Sequence, residues 1–210
     1  RESDILIIKF SPYRVIEKDE NNIILGFLEK TSQYFYKQNG PITTVSKLCA
    51  EYLNELLLKL NISKNVSEVL SGSLQFLVLH DKDVYFTQCG NASSFVISKI
   101  RSMQFDEKLS GSQGLGITKV LKFKIYHAEL STGDRIVISN KTPSDWSIET
   151  LTEDPRVSIS HLRKTLLQRT NQDFDAIILQ VRTGTGNIHE LKLENQRIIS
   201  TTGTDYVDNP

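Results

Sequence analysis

Between residues 45 and 60, apolar side chains return every three or four positions: Val45, Leu48, Cys49, Tyr52, Leu53, Leu56, Leu57 and Leu60. This spacing predicts an amphipathic helix, with Thr43 or Thr44 placed to cap its start. Ser46, Lys47, Glu51, Asn54, Glu55 and Lys59 fall on the other face, so the helix is expected to cover a sheet and leave that face in water. From Ser71 the period shortens. Residues 74–80, 84–88 and 94–100 form apolar runs separated by Asp81-Lys82-Asp83 and Cys89-Gly90-Asn91-Ala92-Ser93. Such short loops between consecutive strands predict an antiparallel meander.

Upstream, residues 5–10 read as a strand ended by Ser11-Pro12. Residues 13–17 and 23–27 read as a hairpin turning at Lys18-Asp19-Glu20-Asn21-Asn22, and 28–37 stay open between strand and helix. Residues 101–116 are polar and glycine-rich, and a surface loop is expected there. The run Gly111-Ser112-Gln113-Gly114-Leu115-Gly116 does not sit between a strand and a helix, which argues against a phosphate cradle. A strand follows, with Leu121, Phe123, Ile125 and His127 on one side.

The stretch 126–146 has the form strand, turn, strand and sharp exit. Gly133 in Ser131-Thr132-Gly133-Asp134 supplies the turn. Arg135 to Ile138 is a β-branched run expected to be a buried strand. Beyond Ser139-Asn140-Lys141, Pro143 and Ser144 suit the opening of a helix. Ser158 or Ser160 can cap a helix bearing Ile159, Leu162, Leu166 and Leu167, and residues 177–181 read as the last strand.

These elements resemble the metal-dependent protein phosphatases, the PPM family that includes protein phosphatase type 2C. Ser71-Gly72-Ser73 is similar to the family's Gly-Thr-Thr. Gly90-Asn91-Ala92-Ser93 stands at its Gly-Asp-Ser, with Asn91 replacing Asp. The turn and strand 131–139 match its Pro-Gly-Asp turn and following strand, but Asn140-Lys141 stands where Asp-Gly would be. Asp175-Ala176-Ile177-Ile178 fits the late strand, and the resemblance places the family's metal-binding aspartate on Asp175. It covers residues 1–182, more weakly before residue 70. It implies an α+β fold, a four-layer α-β-β-α sandwich of two antiparallel sheets, with residues 183–210 a linker or C-terminal tail.

In that family two divalent cations activate a water for attack on a phosphoserine or phosphothreonine. Hard cations need several converging oxygen ligands. The segment expected to carry the family's Asp-Gly-x-Gly, residues 24–31, has only Glu29 as a carboxylate. Asn140 is neutral and Lys141 is cationic. A +1/+2 pair about 5 Å apart repels by roughly 6 kcal/mol at an effective dielectric near 20. The two-metal chemistry is therefore expected to be lost, with no cofactor, and Asn140 and Lys141 to plug the pocket. The alternative is a divergent, active phosphatase with a rearranged Mn or Mg site built from Asp145, Asp173 and Asp175. Asp145 also reads as a first-turn acid favoured by a helix dipole, and Asp173 and Asp175 as solvated loop acids.

Composition narrows the partners. Lys+Arg and Asp+Glu are 25 each, so no basic excess favours nucleic acid or an anionic membrane. The expected partner is another protein or an adjacent domain of the parent chain. Cys49 and Cys89 lie far apart and read as buried thiols of a cytoplasmic protein. His80, His127, His161 and His189 show no i, i+4 metal spacing. Arg1 as the first residue reads as a fragment of something longer.

Overall fold

A computed structural model of the chain describes residues 3–99, 101–106, 113–140, 143, 146–152, 158–170, 175–183 and 188. The elements run β1 (Ile5–Pro12), α1 (Lys18–Lys37), α2 (Ile42–Asn61), β2 (Gly72–His80), β3 (Asp83–Cys89), β4 (Ser93–Ile97), β5 (Met103–Asp106), β6 (Lys124–Glu129), β7 (Arg135–Ser139), α3 (Ile148–Thr152), α4 (Ile159–Gln168) and β8 (Ala176–Gln180). They form two four-stranded sheets, ordered β1-β2-β3-β6 and β5-β4-β7-β8, and every strand pairing is antiparallel.

The strands alternate, so each sheet buries both faces. Between the sheets lie Leu77, Val84, Phe86, Val96, Ile136 and Ile138. On the outer face of the first sheet, Leu74, Phe76 and Val78 pack against Phe35, Val45, Cys49, Leu53 and Leu57 of α1 and α2. On the outer face of the second, Phe95, Ile97 and Val137 meet Trp146, Leu151, Leu162 and Leu166. The result is the expected α-β-β-α sandwich of four layers. Cys49 and Cys89 are buried.

Several local expectations are corrected. The hairpin expected over 13–27 is instead the run into α1. Ile24, Thr31 and Phe35 are buried at helical spacing, and Ile24's neighbours Phe27 and Leu28 also pack on the core. Lys18 to Asn22, read as a turn, is the first helical turn. Its acids Asp19 and Glu20 suit the helix dipole, and Glu20 accepts from the Glu17 backbone N–H at 3.3 Å. In α2 the helix starts after Pro41 without a side-chain cap, so neither Thr43 nor Thr44 caps it. Ser46 and Asn54 are 2% exposed rather than in water. Asn54 is drawn inward because its Oδ1 accepts from Gly116 N (2.8 Å) and its Nδ2 donates to Thr118 O (2.8 Å).

The surface loop expected over 101–116 contains β5, whose Met103 and Phe105 join the inter-sheet core. Leu115 pairs with Gly72 through N–H···O bonds of 3.3 and 2.8 Å. The fourth strand of the first sheet starts at Lys124, not Leu121, and Leu121 and Phe123 pack against the helical layer from outside it. The helix expected at Pro143 begins at Ile148. Ser158, not Ser160, caps α4, accepting from His161 N at 3.2 Å. Leu167 is 43% exposed. Among the described residues no helix is long and apolar enough to cross a membrane.

Candidate functional site

At one end of the sandwich the space between the sheets turns from apolar to polar. Lys9, Gln75 and Gln88 lie abreast on β1, β2 and β3. Gln75 Nε2 donates to Ser93 O (3.0 Å), and Gln88 Nε2 donates to Ser94 Oγ (2.5 Å), tying the first sheet to β4. Lys9 is 6% exposed. Its ammonium donates to Ser11 Oγ (2.6 Å) and to Asp175 Oδ2 (2.6 Å). A buried ammonium requires such partners, because an unpaired one is strongly disfavoured in the interior.

The same end collects some of the residues singled out by sequence. Ser139 pairs with Ala176, and Ser139 Oγ donates to Asp175 O at 3.2 Å. Asn140 and Asp175 are thus one step past the last paired residues of β7 and β8. Asn140 Oδ1 is buried with no hydrogen-bond partner among the described residues. Asn91 is exposed in the β3–β4 turn, and its backbone N–H donates to Tyr13 Oη at 3.4 Å. Lys141, Asp145 and Asp173 lie outside the described residues, and so does His189.

Glu29 belongs elsewhere. Residues 24–31 are the interior of α1 rather than the end of a strand, and Glu29 accepts from Gln33 Nε2 on the solvent side (3.4 Å). The strand that leads into α1 is β1, so the strand end before that helix is Ser11-Pro12-Tyr13 rather than residues 24–31. The glycines of 114–116 serve close packing: a Cβ on Gly114 would stand 2.3 Å from Gly72 O. That accounts for Gly114 without a phosphate.

Sequence reasoning missed Lys9. Its signal was present, since a single charge in the apolar strand Ile5-Leu6-Ile7-Ile8-Lys9-Phe10 demands a buried counter-charge. The partner could not be read, because Asp175 lies 166 positions away.

A second concave feature lies at the opposite end of β2. It is a cavity of about 420 Å³ lined by Asp4, Gly40, Pro41, Ile42, Thr43, His80 and Tyr85. His80 Nδ1 and Asp4 Oδ1 are 2.6 Å apart. The hydrogen bond to the Asp4 carboxylate raises the His80 pKa above the usual imidazole value. His127 makes a similar pair with Asp83 at 2.6 Å.

The fold is a PPM phosphatase-like sandwich. Solved structures similar to it include serine/threonine phosphatases at low identity. The S. agalactiae serine/threonine phosphatase shares 12% identity, covering 87% of this chain and 94% of its own, with a TM-score of 0.63. The PPM Ser-Thr phosphatase MsPP from Mycobacterium smegmatis, solved with cacodylate, shares 12%, covering 86% and 92%, with a TM-score of 0.59. The catalytic domain of the phosphatase PstP, solved in complex with two manganese ions, shares 10%, covering 84% and 89%, with a TM-score of 0.58. No family model matches the sequence, and no curated protein does.

The residues described here do not fit a pair of divalent cations. Of the carboxylates considered for metal, Asp175 is the one described, and an ammonium holds its Oδ2. A second cation at that oxygen would face like-charge repulsion from Lys9. Among the described residues no three His, Cys, Asp or Glu side chains gather as a metal-binding group.

Proposed function

We propose that this chain is a PPM-type pseudophosphatase domain that does not turn over substrate and acts by binding another protein or an adjacent domain of its parent chain. The observation that carries this reading is the Lys9 ammonium on Asp175, a fixed positive charge where metal chemistry needs an open carboxylate. Residues 1–182 would form the domain, with 183–210 as linker or tail, in the cytoplasm. The balanced charge disfavours nucleic acid and membrane surfaces as partners.

The second reading is a divergent Mn- or Mg-dependent serine/threonine phosphatase. Asn140 Oδ1 favours it, because a buried amide oxygen without a partner among the described residues is a competent ligand for a hard cation. Lys9 weighs against it. The two readings separate in an assay of a phosphothreonine peptide and of p-nitrophenyl phosphate with manganese. The expected rate is no higher than that of Asp175→Ala. Manganese-dependent turnover that disappears in Asp175→Ala would establish the active enzyme instead.

A further inference from the structure

We infer that Lys9 is the resident cation of an oxygen-rich layer, and that exchanging its ammonium for a carboxylate converts this layer into a divalent-cation site. The inference rests on the non-catalytic reading above and explains how the fold manages without metal.

Three observations lead to it. First, the pair is asymmetric: the Lys9 side chain is 6% exposed and that of Asp175 is 70% exposed. Water can solvate the carboxylate unaided, whereas the buried ammonium needs it. Lys9 is therefore the group that recruits Asp175. Second, the layer holds buried oxygens that no donor reaches among the described residues. Gln75 Oε1, Gln88 Oε1 and Asn140 Oδ1 are all buried without a hydrogen-bond partner among the described residues. Ser11 Oγ and Asp175 add further oxygens around the ammonium. Converging oxygens without donors are the ligands a hard cation selects. Third, the contact joins β1 of one sheet to the residue preceding β8 of the other, so the cation acts as a clamp across the sandwich.

Lys9→Glu places a carboxylate on the same inward position of β1, opposite Asp175. Without metal the two acids repel. With metal they would become two ligands, with Ser11 Oγ beside residue 9 and Asn140 at the end of β7, next in register to Asp175.

Thermal unfolding of the purified chain tests this, with wild type, Lys9→Met, Lys9→Glu and Lys9→Glu/Asp175→Asn measured with and without manganese. The expected result in about 5 mM manganese chloride is a rise of roughly 5 °C for Lys9→Glu and under about 1 °C for wild type and the double variant. A wild-type rise as large as that of Lys9→Glu would overturn the inference, as would a Lys9→Glu response no larger than wild type's. If Lys9→Glu does not fold, Lys9→Asp, which keeps the carboxylate on a shorter side chain, takes its place. Manganese binding to Lys9→Asp by calorimetry above wild type supports the inference, and none overturns it. Turnover by the wild-type chain would remove the non-catalytic reading. A silent Lys9→Glu removes only the resident-cation inference and leaves that reading standing.

Discussion

Lys9 Nζ lies 2.6 Å from Asp175 Oδ2, joining a side chain that is 6% exposed to one that is 70% exposed. The two halves of this pair should therefore fail differently. Asp175→Asn strands a buried ammonium and is expected to cost about 1–3 kcal/mol. Lys9→Met leaves Asp175 to water and is expected to cost under about 1 kcal/mol. Urea unfolding measures both, and a larger loss for Lys9→Met would refute the asymmetry.

The His80–Asp4 pair makes stability depend on pH. His80 titrates above its ordinary value because it bonds the Asp4 carboxylate, which is itself buried. A raised folded-state pKa means the stabilisation is complete below the unfolded value of about 6.5 and is lost as pH rises through the folded value. The melting temperature should fall across that window, and His80→Gln should flatten the fall. Equal slopes in wild type and His80→Gln would exclude this pair as the cause.

Two glycines with positive φ separate strain from collision. Gly133 has φ +98 and nothing near its missing Cβ, whereas Gly114 has φ +73 and would meet Gly72 O at 2.3 Å and Tyr13 Oη at 2.6 Å. Gly133→Ala is expected to cost about 1–2 kcal/mol from backbone strain alone. Gly114→Ala adds a clash with backbone and should cost about 3 kcal/mol or more. Chemical denaturation of the two variants ranks them.

Asn61 ends α2 by bonding Leu70 on both sides, accepting from its N–H (2.9 Å) and donating to its carbonyl (2.9 Å), and it also donates to Gly116 O (2.9 Å). Asn61→Ala is expected to lose about 2–3 kcal/mol, since three backbone groups are left without this partner. Asn61→Asp keeps the acceptor but turns an oxygen toward two carbonyls, so it should be no more stable than Asn61→Ala. A near-neutral Asn61→Asp would show that the donor contacts contribute little.

Much of the frame was legible in local pattern. α2, the hairpin β2-β3 and the buried strand β7 each carry their period within a short window, and burial follows that period. The meander expected to run on into residues 94–100 is broken instead, because β4 crosses to the second sheet and pairs with β5 and β7 while β3 pairs with β6. Where the window misled, a tertiary contact or a helix start was responsible. Lys18-Asp19-Glu20-Asn21-Asn22 has turn composition, yet it opens α1, because acids and asparagines also suit a helix N-terminus. Asn54 sits on the polar side of its helix by type and is buried by its bonds to the 116–118 backbone.

For the site, the order of motifs led to Asn140 and Asp175, and the structure sets them at neighbouring ends of β7 and β8. Residues 24–31, expected to follow a strand, are the interior of α1, because Ile24, Thr31 and Phe35 bury at helical spacing. Lys9 was overlooked altogether.

The amino-acid order alone determined which segments carry helix or strand period, and that acids are scarce at the positions where the resemblance calls for them. These are properties of neighbours along the chain, set by backbone geometry and side-chain type. Only the tertiary structure decided that β1 lies against β2 with Lys9 turned inward to meet Asp175. Pairing across so long a separation depends on how two sheets stack, which no local window records.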